Sequence, residues 1–338
     1  MSTKTKVLCA MSGGVDSSVS AALLKEQGHQ VVGITMQIFG RKNSIEDAKK
    51  VCSILDIPHH TLNLRKEFQD LVIKDFINEY KNGRTPNPCI RCNQFLKFDL
   101  LLKKAEQLGC THIATGHYAR IKSGRIFKGI DCKKDQSYVL YMLSQTTLSK
   151  TLFPLGEYTK EEVRKLAKQH GLPTAEKKES QELCFVEDDN YGRFISEKLL
   201  QAAKPGKLLD KDGNIVGEHN GIIHYTIGQK KGIGAHKVRK FVTNIDVKNN
   251  TVTIGDDSDL MQKCLTADNL SFTTNHHPAG KLEVQAKIRY NSREEPAFLE
   301  VINGKAKVTF NEKQRAITPG QSVVFYFGDE MIGGGIIR

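Results

Sequence analysis

The stretch Ala10-Met11-Ser12-Gly13-Gly14-Val15-Asp16-Ser17-Ser18 constrains this chain more than any other. A short apolar run, Val7 to Ala10, leads into it and reads as a buried strand. Residues Ser17 to Gln27 follow as a helix, with Val19, Ala22 and Leu23 on one face and Gly28 as the stop. Strand, glycine turn and helix in this order aim backbone N–H groups at an anion, and the helix dipole adds about half a positive charge. Gly13 and Gly14 let the backbone approach a ligand closely, and Ser12, Ser17 and Ser18 add hydroxyl donors. No Gly-Lys-Ser/Thr follows, so the stretch is not a Walker A loop. The plain alternative is an ordinary glycine-rich strand–helix turn.

The rest of the first half continues the alternation. Gln30 to Ile38 reads as a second buried strand, which puts the Met36 backbone near a strand carboxyl end, where an adenine is met in open parallel sheets. A helix over Ser44–Leu55, a strand over His59–Leu64, a helix over Phe68–Tyr80 and a strand over Thr111–Thr115 complete a parallel α/β pattern. From Pro205 onward short Val/Ile/Thr/Phe runs alternate with turn signals such as Asp212-Gly213, Asn220-Gly221 and Asn303-Gly304. The predicted fold is therefore α/β: a Rossmann-like parallel-sheet domain over 1–203, a small central β domain over 204–261, and a β-barrel over 262–338.

Charge and cysteine usage narrow the class. Fifty Lys and Arg against 38 Asp and Glu give a net charge of +12, which suits a polyanionic partner as well as it suits a merely basic surface. The chain has no apolar run of membrane-spanning length and no signal-peptide pattern, which predicts a soluble, cytoplasmic protein without a membrane partner. The eight cysteines are scattered, unlike a secreted disulfide framework, and Cys9, Cys52 and Cys110 read as packing residues.

Two further blocks bear chemistry. Asn82 to Asn93 is a loop stiffened by Pro86 and Pro88, and it ends in Cys89 and Cys92 at or near a helix N-terminus flanked by Arg84, Arg91 and Lys97. That setting lowers a thiol pKa; a redox pair and half of a zinc site are the other uses of Cys-x-x-Cys. A closed structural zinc lacks its second half, since neither another Cys-x-x-Cys nor a His pair at finger distance from Cys92 occurs. Gly116 and His117 follow the fourth predicted strand, where Gly116 allows close approach and His117 either meets a phosphate or base or is a satisfied interior histidine. Lys133 to Tyr138 reads as a polar, basic segment before an apolar helix, Thr159–His170 as an amphipathic helix, and Tyr191–Ala203 as the helix that closes the domain. Glu179 to Val186 supplies a third candidate thiol, Cys184. Tyr225 to Gly232 and Arg289-Tyr290 combine cations with an aromatic, as single-stranded nucleic acid recognition does, although solvated loops of the same composition are common.

Ser-Gly-Gly-Val-Asp-Ser resembles the pyrophosphate loop of the ATP pyrophosphatases, which cleave ATP between the α and β phosphates. Together with Gly83-Arg84-Thr85-Pro86-Asn87-Pro88, Cys92-Asn93, Ala114 to Ala119, Lys134 to Tyr138, Ser180 to Phe185, Tyr225 to Gln229 and Gly333-Gly334-Gly335, it makes nearly the whole chain resemble the tRNA-specific 2-thiouridylases. The resemblance implies an adenine nucleotide alpha hydrolase-like fold and ATP-dependent 2-thiolation of the wobble uridine, U34. It implies ATP contacts at Ala10, Met11, Ser12, Gly13, Gly14, Val15, Asp16, Ser17, Met36 and Gly116, with Mg²⁺ as the accompanying ion. Cys92 would be the nucleophile and Cys184 the persulfide carrier. The target base would lie against Asn87, Pro88 and Cys89, and His117, Lys134, Asp135, Gln136, Arg289, Tyr290 and Gln321 would contact tRNA. Partners implied are the anticodon loops of Lys, Glu and Gln type tRNAs and a sulfur donor, either a cysteine desulfurase or a sulfur-relay protein.

Two departures stand out. Cys89 occupies a position where many members carry an acid, and a thiol is a poor proton shuttle at neutral pH. The Met36–Asp47 segment is also short. The third thiol opens a rival route in which Cys89, Cys92 and Cys184 hold a [4Fe-4S] cluster. Readings of other classes are a pyrophosphate-loop amidotransferase or ligase acting on a small carboxylate, and a catalytically silent RNA-binding protein.

Overall fold

The computed structural model describes residues 5–38, 44–177, 184–186, 193–194, 204–234, 238–274 and 278–338. The chain opens with β1 (Lys6–Ala10), α1 (Val15–Glu26), β2 (Gln30–Gln37), α2 (Ser44–Ile54) and β3 (His59–Asn63). Two long helical runs follow. The first joins α3 (Arg65–Phe68) to α4 (Lys74–Lys81) through the π-type stretch Gln69–Ile73, and the second joins α5 (Pro88–Arg91) to α6 (Leu101–Gln107) through the π-type stretch Cys92–Leu100. After β4 (His112–Ala114), the hairpin β5 (Ala119–Lys122) and β6 (Arg125–Lys128), α7 (Gln145–Ser149) and β7 (Thr151–Leu152), α8 (Lys160–Gln169) begins at Thr159, whose capping box with Glu162 fixes its start.

β1 to β4 and β7 make a five-stranded parallel sheet in the order β3-β2-β1-β4-β7. Its central strands are almost wholly apolar because helices cover both faces. The chain runs outward from β1 on one side and restarts at β4 on the other, so the crevice beyond their carboxyl ends is the topological switch point. The glycine turn after β1 and Gly116-His117 after β4 both open there.

The second half is β throughout. β8 (Gly206–Leu209), β9 (Ile215–His219), β10 (Phe241–Asp246) and β11 (Thr251–Gly255) form a sheet in the order β10-β11-β8-β9. β12 (Met261–Phe272), β13 (Lys281–Lys287), β14 (Glu295–Ile302), β15 (Lys305–Arg315), β16 (Ser322–Phe327) and β17 (Glu330–Ile337) run β12-β15-β14-β13-β16-β17, and β12–β17 pairing closes them into a barrel. Alternate residues such as Leu299, Val308, Phe310, Val323 and Phe325 fill its interior.

The barrel is not a separate appendage. β6 pairs with β17 (Met331 opposite Ile126), so the N-terminal hairpin extends the barrel sheet. The apolar helix expected after Lys133–Tyr138 is instead a short 3₁₀ turn, Ser137–Leu140. Three-residue periodicity stacks Tyr138 and Tyr141 on one side, and both hydroxyls reach across the seam to Ser322, at 2.7 Å to its carbonyl and 2.9 Å to its Oγ. Of the helix expected over 191–203, only Arg193 and Phe194 fall within the described residues.

Candidate active site

The glycine turn is built from its own hydroxyls. Ser17 Oγ accepts from the Ser12 amide (3.1 Å) and donates to the Gly14 carbonyl (3.0 Å), while Ser18 Oγ donates to the same carbonyl (2.9 Å). Gly13 takes φ +70°, a left-handed conformation, and Gly14 stands at the helix N-cap without a side-chain cap. The first amides of α1 therefore remain available for an anion. Met11 differs from the rest of the motif: its amide donates to Ile34 O (2.8 Å), Thr35 Oγ1 donates to its carbonyl (2.9 Å), and its side chain is buried. Met36 lies half-buried at the end of β2. Gly116 packs directly on the turn, where a Cβ would stand 2.9 Å from the Asp16 carbonyl carbon.

Two lysines that the sequence reading passed over converge on this turn. Lys160 Nζ, nearly buried at the start of α8, lies 2.6 and 2.9 Å from the Asp16 carboxylate, which also accepts from Tyr118 OH at 2.7 Å. Lys177 Nζ donates to the Gly13 carbonyl (2.9 Å) and pairs with Asp47 (2.5 Å). These cations bring positive charge to a turn whose own sequence carries no lysine. Nothing local marked them, because the contacts span 144 and 164 residues of sequence.

The cysteine loop ends in a helix whose N-cap is Asn87: its Oδ1 accepts from the Cys89 amide at 3.1 Å, and Pro88 takes the first helical position. Cys89 is exposed, whereas Cys92 is buried one turn later, where the π-type stretch begins. The expected cationic flank is largely committed elsewhere. Arg84 makes a bidentate pair with Glu79 (2.6 and 2.5 Å), and Arg91 reaches Asp75 (3.4 Å), because acids on the preceding helix face both guanidiniums.

Cys92 and Cys184, 92 residues apart in the chain, belong to one apolar cluster with Phe68, Phe76, Leu96 and Phe185. Phe185 provides the attachment, with its ring edge-on to Phe68 (5.6 Å), Phe76 (5.4 Å) and Phe194 (5.4 Å). Cys89 does not join them as a ligand set: among the described residues no three His, Cys, Asp or Glu side chains are grouped to hold a metal. Residues 178–183 of the cysteine block lie outside the described residues. Elsewhere Cys9 and Cys52 are buried, as packing residues are, and burial pushes their thiols up to about 12 and about 11.

The residues expected at tRNA divide sharply. His117 is 6% exposed, shares a hydrogen bond with Thr115 Oγ1 (2.7 Å), and packs on Phe98 and Phe153. Burial holds its pKa well below the usual imidazole value, so the ring is neutral and orders the end of β4. Asp135 accepts from the Gly129 and Ser137 amides and from Ser137 Oγ, and the Gln136 side chain accepts from the Tyr118 amide. Both therefore build the loop that leaves Lys134 partly exposed. Arg289 donates to the Arg315 and Ala316 carbonyls, and Tyr290 stands edge-on to Tyr138 with Lys287 over both rings. Gln321 donates to the Thr85 carbonyl in the cysteine loop (2.8 Å). Tyr225, read as a stacking aromatic, is buried instead, with its hydroxyl on Gly232 O, and Gln229 closes the same turn onto His224 and Lys231.

Comparison with known proteins gives the family. Residues 5–188 match the family described as tRNA methyl transferase HUP domain, 192–256 the tRNA methyl transferase PRC-barrel domain, and 262–337 the aminomethyltransferase beta-barrel domain. A tRNA-specific 2-thiouridylase MnmA of Carboxydothermus hydrogenoformans is 50% identical over 358 residues, covering 99% of this chain and 98% of that protein. The chain belongs to the tRNA-specific 2-thiouridylase family. Another member, from Clostridium botulinum strain Eklund 17B, is 50% identical over 355 residues, covering 99% of this chain and 98% of its own length. A solved 4-thiouridine synthetase–RNA complex with bound ATP aligns at 17% identity over 58% of this chain and 50% of that one with a TM-score of 0.41, too distant to add to the argument. No helix among the described residues is long and apolar enough to cross a membrane.

Proposed function

We propose that this protein carries out ATP-dependent 2-thiolation of the wobble uridine of tRNA. The observation that carries this reading is the shared cluster of Cys92 and Cys184 in a family member whose glycine turn and lysine pair suit a triphosphate. The C2 oxygen of uracil is a poor leaving group. Its attack on the α-phosphorus of ATP expels pyrophosphate and converts that oxygen into part of a good leaving group, AMP. The α1 amides, Lys160 and Lys177 face the charge that develops on the departing pyrophosphate. Mg²⁺ accompanying ATP would be held mainly by phosphate oxygens and water and would supply further charge neutralisation; the nearest carboxylates, Asp16 and Asp47, are already paired with Lys160 and Lys177.

Sulfur transfer then uses the two cysteines. The terminal sulfur of a Cys184 persulfide bonds to C2 while the Cys92 thiolate attacks Cys184 Sγ. The sulfur–sulfur bond breaks toward the terminal sulfur, AMP leaves, and a Cys92–Cys184 disulfide remains for an external dithiol to reduce. The persulfide is replenished by a sulfur-donor protein, a cysteine desulfurase or relay protein. Ser12 to Ser17, Met36 and Gly116 are the proposed nucleotide contacts; Asn87, Pro88 and Cys89 the proposed base contacts; Lys134, Arg289 and Tyr290 the proposed tRNA contacts. Lys, Glu and Gln type tRNAs are the proposed substrates.

A cysteine rather than an acid at position 89 favours a second reading, the [4Fe-4S] route. Because Cys89, Cys92 and Cys184 are not gathered into a metal-ligand group, no step is drawn through a cluster. Anaerobic purification, iron and labile-sulfide analysis and a thiolation assay test both readings. Thiouridine formed by iron-free protein with a persulfide donor supports the persulfide route. Thiolation strictly proportional to bound iron overturns it.

A further inference from the structure

All three parts of the molecule meet at one residue, Thr85, which stands two positions before the Asn87 cap of the cysteine helix. Its amide donates to the Pro319 carbonyl in the barrel (2.9 Å), and its carbonyl accepts from Gln321 Nε2 (2.8 Å). Its hydroxyl donates to Thr226 Oγ1 of the central region (3.1 Å). Gly320, between the two barrel partners, adopts φ +91°, and a Cβ there would stand 2.8 Å from the Thr85 amide nitrogen. The turn Pro319-Gly320-Gln321 therefore lies flat against the loop, which a side chain at 320 would prevent. Pro86, next in line, has no N–H with which to tether itself. The loop's neighbour Arg84 is tied to Glu79, which Arg338 at the chain end approaches to 3.6 Å.

We infer that Gln321 and Thr226 are positioning residues for the sulfur chemistry: acting through Thr85, they set the height and angle at which Asn87 to Cys92 are presented. The inference deepens the proposed function, on which only its catalytic arm rests. Its physical basis is that Thr85, beside Pro86 in a loop with two prolines, commits its amide, carbonyl and hydroxyl to the barrel and the central region. Turns of the barrel and of the central region thereby complete the site. Gln321 spends one of its two amide N–H donors on Thr85, which leaves the tRNA contact implied by the family resemblance open to the rest of the group.

The test uses full-length protein with Gln321→Leu, Gln321→Lys and Thr226→Val. Gln321→Lys restores a donor that reaches the Thr85 carbonyl. The first readout needs neither ATP nor tRNA: the alkylation rate of buried Cys92, with exposed Cys89 as internal control, followed by mass spectrometry. Gln321→Leu and Thr226→Val are expected to raise Cys92 labelling by about fivefold as the loop opens locally, with Cys89 unchanged and Gln321→Lys near wild type. The second readout is kinetic: kcat falls about tenfold in both disrupting variants, with tRNA Kd unchanged. Unchanged Cys92 labelling in both variants overturns the inference, as does a loss of tRNA affinity without a change in labelling, which would make Gln321 an RNA contact. Altered labelling in a protein with no thiolation activity would leave the positioning role standing and overturn the proposed function alone.

Discussion

The glycine turn and the cysteine loop solve the problem of holding a reactive segment in different ways. The turn after β1 is closed by contacts within its own domain: Ser17 to Gly14, Asp16 to Lys160 and Tyr118, Lys177 to Gly13. The cysteine loop is tied to its own domain through Arg84 on Glu79 and Arg91 on Asp75, and in addition from outside by Pro319 and Gln321 of the barrel and Thr226 of the central region. The contacts of the nucleotide turn thus lie within one domain, whereas those of the cysteine loop draw on all three parts of the molecule. Damage to the β domains should therefore spare ATP binding and cripple sulfur transfer.

The largest expected effect separates the two regions cleanly. Cys92→Ser and Cys184→Ser should each lower thiolation by at least about 10³-fold while ATP affinity stays unchanged, as equilibrium nucleotide binding would show. Activity retained in either variant would erase the distinction. The field of the basic surface comes next. If six or more phosphates are contacted, tRNA affinity should fall about 10³-fold between 50 and 200 mM salt, and a flat response in filter binding would refute a basic tRNA groove. Lys160→Met should act in the opposite sense to the cysteine variants. It strips Asp16 of its partner and should weaken ATP-dependent AMP release about 10²-fold, with Cys92 labelling unaltered.

The smallest effect concerns pH. The imidazole of His117 is held neutral by burial, so its folded pKa lies below the ordinary value of about 6.5 that the unfolded chain shows. Below that pH the unfolded state binds a proton that the folded state refuses, so this contribution to stability is complete above about pH 6.5 and is lost as pH falls. The loss grows as pH falls further below the ordinary imidazole value. Thermal melts of wild type and His117→Gln should converge as pH is lowered from 7.5 to 5.5. Parallel curves would place His117 in solvent.

How much of this was legible in the sequence follows the same divide. The glycine turn could be read because strand, turn and helix are contiguous, and apolar runs with turn signals were enough for the parallel sheet and the barrel. The cysteine loop announced its residues but not its surroundings. Arg84 and Arg91 looked like thiolate-stabilising cations until Glu79 and Asp75, one helix earlier, claimed them. Tyr138 read as the end of a polar, basic segment and Tyr141 as part of an apolar helix; their hydroxyls instead find Ser322, 184 and 181 residues away. Lys160 and Lys177 carried no local signal at all. Long-range partners of polar groups are the information a linear pattern omits.

The central claim is that the sulfurs of Cys92 and Cys184 meet during the reaction. Protein carrying a persulfide on Cys184 should be given ATP and tRNA for a single turnover without reductant, then digested and mapped by mass spectrometry. The account predicts a Cys92–Cys184 disulfide in amount equal to the thiouridine formed. Thiouridine produced with both thiols still reduced would contradict it.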